Sequence, residues 1–430
     1  LNVAVVTNTI PNTGITLPFI SYGGTSCFCF CSRRWGWILA VSRWQSEKNA
    51  YDNFIEAISR LSKRRVWVEY FEITGGTPLH GSITLQGSKN AALPLMAASI
   101  LHPGRTTLHH VPAIRDVDVM IEILENIGCT VQKDNGTLII DAAKAEHFEV
   151  AASLGERMRS TIILLGSMLG RAGRAKMPFP GGCIIGMRPI DIHITSLGKM
   201  GAVFEETDGM LCAVTDGLCG TRIHLRFPSV GATENVILAA VYARGRTRIE
   251  NCAKEPEIAE LCRFLREKGA KIEGEGTSCI LVEGVSHLRD STYTLMPDRI
   301  VAGTYLFAAA ATRGEICLEG MRPSDMESVL DVLGRMGAVY ENRKDGFYLD
   351  GRKAINPLPV VCTETYPGFP TDLQSQLLAT LCVARGRSVI RECIFEERFR
   401  ILSVCTGCFR ASFSPGCFSV NRAAGNLECR

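Results

Sequence analysis

Between residues 88 and 400 one pattern recurs five times: an apolar helix, a stop made of a small residue and glycine, then a short strand. The marking glycines are Gly104, Gly173, Gly245, Gly314 and Gly386, at steps of 69, 72, 69 and 72 residues. In the first four copies a second helix follows and stops at Gly128, Gly201, Gly269 and Gly337. The third of these second helices carries Pro256 in its first turn and Ile258, Leu261, Cys262 and Leu265 on one face. The fourth opens on a capping box from Ser324 to Glu327, ahead of Met326, Val329, Leu330 and Leu333. Each second helix leads into a strand, a turn and another strand, with turns expected at Asn135-Gly136, Asp208-Gly209, Glu275-Gly276 and Asp345-Gly346. Such units have two helices and several strands each, cannot hide their apolar faces alone, and must pack together as an α/β fold.

The chain has 430 residues, 46% of them hydrophobic, enough for a large core and for two domains. Lys plus Arg (47) nearly balance Asp plus Glu (44), and the formal charge of +3 is too small to argue for nucleic acid or a membrane surface, so no nucleic-acid partner is expected. Anion binding must then be local. Of 18 cysteines, seven sit near the ends (Cys27, Cys29, Cys31, Cys405, Cys408, Cys417 and Cys429) and the rest are scattered singly. With no signal-peptide pattern at Leu1-Asn2-Val3, reduced thiols in a cytoplasm are expected. Cys405 and Cys408 form a CxxC without a second pair at zinc-ribbon spacing, so no metal site is expected there.

Within this frame Gly181-Gly182-Cys183 hangs a thiol on a glycine loop five residues before Arg188. Glycines let the backbone approach a ligand, and a guanidinium favours the thiolate. A lone cysteine by itself also fits inert packing. Asp372 in Pro370-Thr371-Asp372 precedes the apolar run Leu373 to Cys382 and fits a helix cap. Ser229-Val230-Gly231 stands just before a helix expected from Asn235 to Tyr242, whose N-terminus can hold a phosphate.

Gly87-Ser88-Lys89-Asn90, Met158-Arg159-Ser160, the Cys183 loop, Ser229-Val230-Gly231-Ala232-Thr233, Glu255-Pro256-Glu257, Asp298-Arg299-Ile300, Tyr366 to Gln374 and Phe395 to Phe399 occur in the order of one family. From about residue 70 to residue 400 the chain resembles the UDP-N-acetylglucosamine 1-carboxyvinyltransferases, enolpyruvyl transferases that open peptidoglycan precursor synthesis. The resemblance implies a two-domain inside-out α/β barrel of six repeated units, of which about five are present here. It implies residues 89–296 as a first domain and residues 66–88 with 297–400 as a second. The implied partners are phosphoenolpyruvate and UDP-N-acetylglucosamine, with no cofactor and no metal. Cys183 would protonate the enolpyruvyl methylene and be alkylated by fosfomycin, and Asp372 would accept the proton of the sugar 3'-hydroxyl. Lys89 and Arg188 match the cations that hold phosphoenolpyruvate. Asn90, Arg159, Ser229, Val230, Gly231 and Ile394 match contacts to the nucleotide sugar. The sister enzyme acting on shikimate 3-phosphate shares the fold, but the Gly-Gly-Cys loop argues against it.

Departures from the family lie mainly at the ends. After Phe399-Arg400 the expected helix and a second arginine cluster are replaced by Ile401 onward, which shows no helix period and no hairpin. A frame-shift followed by an early stop is the expectation, making 401–430 an aberrant tail and turnover poor, down to an inactive fragment that binds the nucleotide sugar weakly. Val301 stands where the family usually has Glu. Residues 10–26 resemble the segment before the last membrane helix of the SEDS family of cell-shape and division proteins, which suggests that 1–50 is a fused remnant and 51–65 a linker. Arg33 and Arg34 interrupt the apolar stretch that follows, so no stable membrane span is expected. Nothing in the sequence indicates an oligomeric state.

Overall fold

The computed structural model describes residues 77–155, 157–179, 190–395, 398, 410–414 and 417–422. An opening strand, β1 (His80–Thr84), precedes the first unit: α1 (Lys89–Ser99), β2 (Arg105–His109), α2 (Arg115–Ile127), β3 (Thr130–Asp134) and β4 (Thr137–Asp141). The second unit has α3 (Leu164–Ala172), β5 (Arg174–Pro178), α4 (Asp191–Lys199), β6 (Val203–Thr207) and β7 (Met210–Val214). The third starts from β8 (Arg222–His224) and runs through α5 (Val230–Ala240), β9 (Arg246–Glu250), α6 (Pro256–Glu267), β10 (Lys271–Glu273) and β11 (Cys279–Glu283) to β12 (Ser291–Thr294). The fourth comprises α7 (Arg299–Thr312), β13 (Glu315–Glu319), α8 (Glu327–Met336), β14 (Val339–Arg343) and β15 (Gly346–Asp350). The fifth comprises β16 (Val361–Cys362), α9 (Gln374–Leu381), β17 (Gly386–Arg391), β18 (Arg410–Ser414) and β19 (Cys417–Arg422).

The first helices are enclosed on all sides: every residue from Ala91 to Ser99 in α1, and from Ala232 to Ala240 in α5, is buried. The second helices are amphipathic. In α6 the expected face of Ile258, Leu261, Cys262 and Leu265 is buried, and α2 buries Val117, Met120, Ile123, Leu124 and Ile127. Strands alternate, with β4 and β11 burying every second residue. Helices therefore fill the interior and sheets lie outside, the inside-out arrangement that the resemblance implies. The strands form five separate open sheets among the described residues, with no closed barrel.

Each sheet is built alike. The strand after the first helix pairs antiparallel with the second strand of the following hairpin, and its other edge takes a parallel strand. That parallel partner lies on the chain entering a unit, where Glu149 bridges to Lys176 and β8 pairs with β9, while β12 at the end of the third unit returns to pair with β2 of the first. The first three units are thereby linked in a ring. Their interior is one buried cluster running from Ala92 to Leu295. A second cluster is made of Leu85 and residues Ala302 to Ile390, under the sheet in which β1 pairs with β13.

Several local expectations need correcting. The tail does hold a hairpin: β18 and β19 pair with each other, and β19 pairs with β17 from Gly386↔Arg422 to Arg391↔Cys417, as the hairpins of other units do. Its strands read Arg-Ala-Ser-Phe-Ser and Cys-Phe-Ser-Val-Asn-Arg, too polar and too short to stand out by alternation. The capping box at Ser324 is absent; Pro323–Asp325 form a 3-10 turn and α8 starts after Met326 without a side-chain cap. Asn135-Gly136 and Asp208-Gly209 do turn in the left-handed region. The fourth hairpin instead turns on Lys344-Asp345, with Gly346 already paired to Arg343, and the third uses a longer loop from Gly274 to Ser278. α5 begins at Val230 with Ser229 as its cap, five residues ahead of Asn235.

Two adjacent residues join the clusters. Asp298 caps its own helix α7, accepting from the amides of Ile300 (2.9 Å) and Val301 (3.0 Å), and also accepts from the amide of Lys89 at the start of α1 (3.0 Å). Arg299 forms a forked pair with Glu257 of α6, Nε to Oε1 at 2.9 Å and Nη2 to Oε2 at 3.2 Å, both side chains nearly buried. Removing one partner of such a pair strands the other's charge indoors. Arg299→Met should lower unfolding free energy by about 3–5 kcal/mol in urea titrations, and adding Glu257→Gln should restore most of it.

Candidate functional site

α1 positions Lys89 and Asn90 at its first turn, where Ser88 accepts from the amide of Ala91. The Lys89 ammonium lies 3.4 Å from Asp116 Oδ2 and stays partly exposed. Its backbone is tied to Asp298, next to Arg299, so the crossing between clusters is also the floor of this end of the site. Arg299 lies over the ring of Tyr366 at 5.5 Å. Burial opposes its charge, but Glu257 foremost, with Glu255 and Asp372, holds its pKa above the ordinary arginine value.

Asp372 lies in the 3-10 turn Thr371–Leu373 that leads into α9. It does not cap that helix, whose first turn has no side-chain cap. The carboxylate instead accepts through Oδ1 from Nη2 of Arg398 at 3.0 Å, and its side chain is 45% exposed while that of Arg398 is 6% exposed. Oδ2 has no partner among the described residues. One oxygen is thus held and the other is open, a geometry suited to receiving a proton. Ile394 lies on the segment that carries Arg398, and its amide donates to Glu392 Oε1 at 2.9 Å.

A second group of predicted residues gathers around α5. Ser229 accepts from the amide of Ala232, leaving Val230 and Gly231 in the first turn of an eleven-residue helix. A Cβ on Gly231 would come 3.2 Å from Cε1 of His193, so the glycine lets α5 approach that ring. Arg159 opens the 3-10 turn Arg159–Ile163, which Asn235 joins to the ring: its amide nitrogen donates to the carbonyl of Ile162 and to His193 Nδ1, both at 2.9 Å. Asn235 Oδ1 also accepts from the amide of Gly166 at 2.6 Å. The Asn235 bond puts the ring proton on Nε2, the nitrogen nearer Gly231. Next to Asn235, the buried Glu234 of α5 has its carboxyl pushed well above the usual range by burial and by the charges of Glu257 and Glu255.

Cys183 and Arg188 lie outside the described residues. Among the described residues no three His, Cys, Asp or Glu side chains converge as a metal-binding group. Sequence reasoning passed over His193 and Glu392, used Asn235 only as a helix start, marked Asp298-Arg299 only as the crossing between domains by analogy, and gave no chemical role to Glu257, Asp298 or Arg398. A buried charged or amide side chain next to a glycine or proline motif was the available signal for Asn235 and Glu257; nothing marked Glu392.

Residues 73–404 match the family described as EPSP synthase (3-phosphoshikimate 1-carboxyvinyltransferase). The chain is 46% identical over 327 residues to a UDP-N-acetylglucosamine 1-carboxyvinyltransferase of Lawsonia intracellularis, covering 76% of this chain and 78% of the relative. It is 44% identical over 330 residues to UDP-N-acetylglucosamine 1-carboxyvinyltransferase 2 of Caldanaerobacter subterraneus subsp. tengcongensis, covering 77% and 79%. The chain belongs to the UDP-N-acetylglucosamine 1-carboxyvinyltransferase family. The fold of these enolpyruvyl transferases is also seen in the solved structure of NikO from Streptomyces tendae, with TM-score 0.72, 22% identity and coverage of 81% of this chain and 83% of that one. EPSP synthase from Acinetobacter baumannii follows with TM-score 0.57 at 18% identity, covering 80% and 82%. Residues 1–47 match a different family, described as cell cycle protein, in line with the resemblance noted for 10–26. Among the described residues no helix is long and apolar enough to cross a membrane.

The buried His193 gives a pH signature. Burial foremost lowers its pKa from 6.5 to about 4, so between these values the unfolded chain binds more protons than the folded one. Stability should therefore fall as pH drops from 6.5 towards 4, by about 3 kcal/mol in all, and be unaffected by this group above 6.5. His193→Gln should flatten that segment of the melting temperature against pH.

Proposed function

We propose that the chain transfers the enolpyruvyl group of phosphoenolpyruvate to the 3'-hydroxyl of UDP-N-acetylglucosamine, with release of phosphate. The observation that carries this reading is the Asp372 carboxylate, fixed through one oxygen by a buried arginine and with no described partner at the other, in a chain of this family. In this scheme Asp372 takes the hydroxyl proton as the sugar oxygen bonds to C2 of the enol, while the Cys183 thiol delivers a proton to the C3 methylene. The resulting tetrahedral adduct loses the proton from C3 and expels phosphate, which leaves the enol ether on the sugar.

Lys89 and Arg188 offset the charge of phosphoenolpyruvate, where preorganised cations act most strongly. The first turn of α5 offers the amides of Val230 and Gly231 to the diphosphate, with the cap Ser229 beside them and Asn90, Arg159 and Ile394 as further contacts to the nucleotide sugar. We take 89–296 as one lobe, and 66–88 with 297–400 as the other, with the substrates between them. A reaction on nucleotide-activated and phosphorylated substrates, in a chain whose described cysteines form no disulfide, fits the cytoplasm.

Phosphate release by the purified chain should require both phosphoenolpyruvate and UDP-N-acetylglucosamine, and Asp372→Asn should lower kcat by about 10²–10⁴-fold. Fosfomycin should add once, at Cys183, as read by peptide mass spectrometry. Preference for shikimate 3-phosphate as acceptor, or full activity in Asp372→Asn, would overturn the assignment.

A further inference from the structure

Glu392 belongs to none of the motifs discussed so far, yet it is where the Thr371 turn and the Ile394 loop meet. It follows β17 and is 8% exposed. It forms no ion pair among the described residues. Its partners are donors: the Thr371 hydroxyl reaches Oε1 at 3.0 Å and Oε2 at 2.9 Å, and the amides of Ile394 and Phe395 reach Oε1 at 2.9 and 3.1 Å. A carboxylate buried without a cation is costly and is tolerated only when its oxygens are filled. Here the filling groups come from two separate segments. Thr371 precedes Asp372 directly, and Ile394 lies on the segment that returns with Arg398 to bind Asp372 Oδ1. The neighbouring Cys393 is tied down as well, its amide donating at 2.9 Å to the buried Thr363.

We propose that Glu392 is a positioning residue that locks the Asp372 turn to the Ile394 loop, so that the proton acceptor and the sugar contact keep a fixed separation. Glu392 touches neither substrate nor reacting atoms in this scheme and acts through Thr371 and the two amides. Its catalytic consequence rests on the reading of Asp372 as base, whereas the tether itself does not. A displacement of the acceptor by about 1 Å is enough to cost roughly a hundredfold in rate.

The test compares Glu392→Ala and Glu392→Gln in the full chain. Glutamine keeps an oxygen at the Oε1 position for both amides and for Thr371, so it should remain within about threefold of wild-type kcat, whereas alanine should lose about 10–100-fold. KM for phosphoenolpyruvate should not change, because Lys89 and Arg188 lie on other segments. Hydrogen exchange supplies a readout independent of turnover. The amides of Ile394 and Phe395 and the peptide across Thr371 should exchange at least about tenfold faster in the alanine variant, with the Ala92 to Leu295 core unmoved. Unchanged exchange at Ile394 and Phe395, or a loss of kcat as large in glutamine as in alanine, would overturn the proposal. If the wild-type chain releases no phosphate while exchange responds as expected, the tether stands and the enolpyruvyl-transfer reading falls.

Discussion

The crossing between the two buried clusters is made by neighbours in sequence, Asp298 and Arg299, and the rest of the site is arranged around them. Asp298 satisfies backbone donors at the starts of two helices, α7 and α1, that belong to different clusters. Arg299 then brings its charge to Glu257 of α6. Both carboxylates are out of water; burial raises the pKa of Asp298 even though three amides oppose the shift. This is an expensive arrangement for stability alone, and it ties the start of α1, where Lys89 stands, to the start of α7.

Buried polar side chains recur as supports for exposed functional ones. Asn235 spends its whole amide on Gly166, Ile162 and His193, and so sets the tautomer of a ring packed on the first turn of α5. Glu392 does the same for the Asp372 turn with a carboxylate. In both cases the supporting group lies on a rigid element, a helix interior or the end of a strand, and the supported group lies at a turn.

The repeat, the enclosed first helices and the amphipathic second helices were legible from the 69- and 72-residue steps and the apolar periods, because each depends on patterns spanning many residues. Asn135-Gly136 was legible because only a few residue types accept that backbone. Ser324 failed as a cap because Pro323 started a 3-10 turn that moved the helix start past it, a choice made by packing around the buried Met326. The tail hairpin was hidden because its strands are short and polar, although the sequence between them reads Pro-Gly, a turn dipeptide. Among site residues, Lys89, Asn90, Ser229 and Asp372 stand in recognisable strings. His193 and Asn235 do their work through contacts between units, and Glu392 through a contact between two segments of one unit, which a linear pattern does not record.

The return of β12 to β2 has a consequence for how the molecule is made. During synthesis the first sheet emerges with one edge of β2 bare, and its partner is translated only after two further units. An unpaired strand edge is a template for wrong pairing, and closing a loop of that length is slow compared with local helix formation. The ribosome-bound chain should therefore depend on chaperone shielding until Ser291–Thr294 emerge, and point changes that slow this closure would reduce yield without altering the finished enzyme's thermodynamic stability.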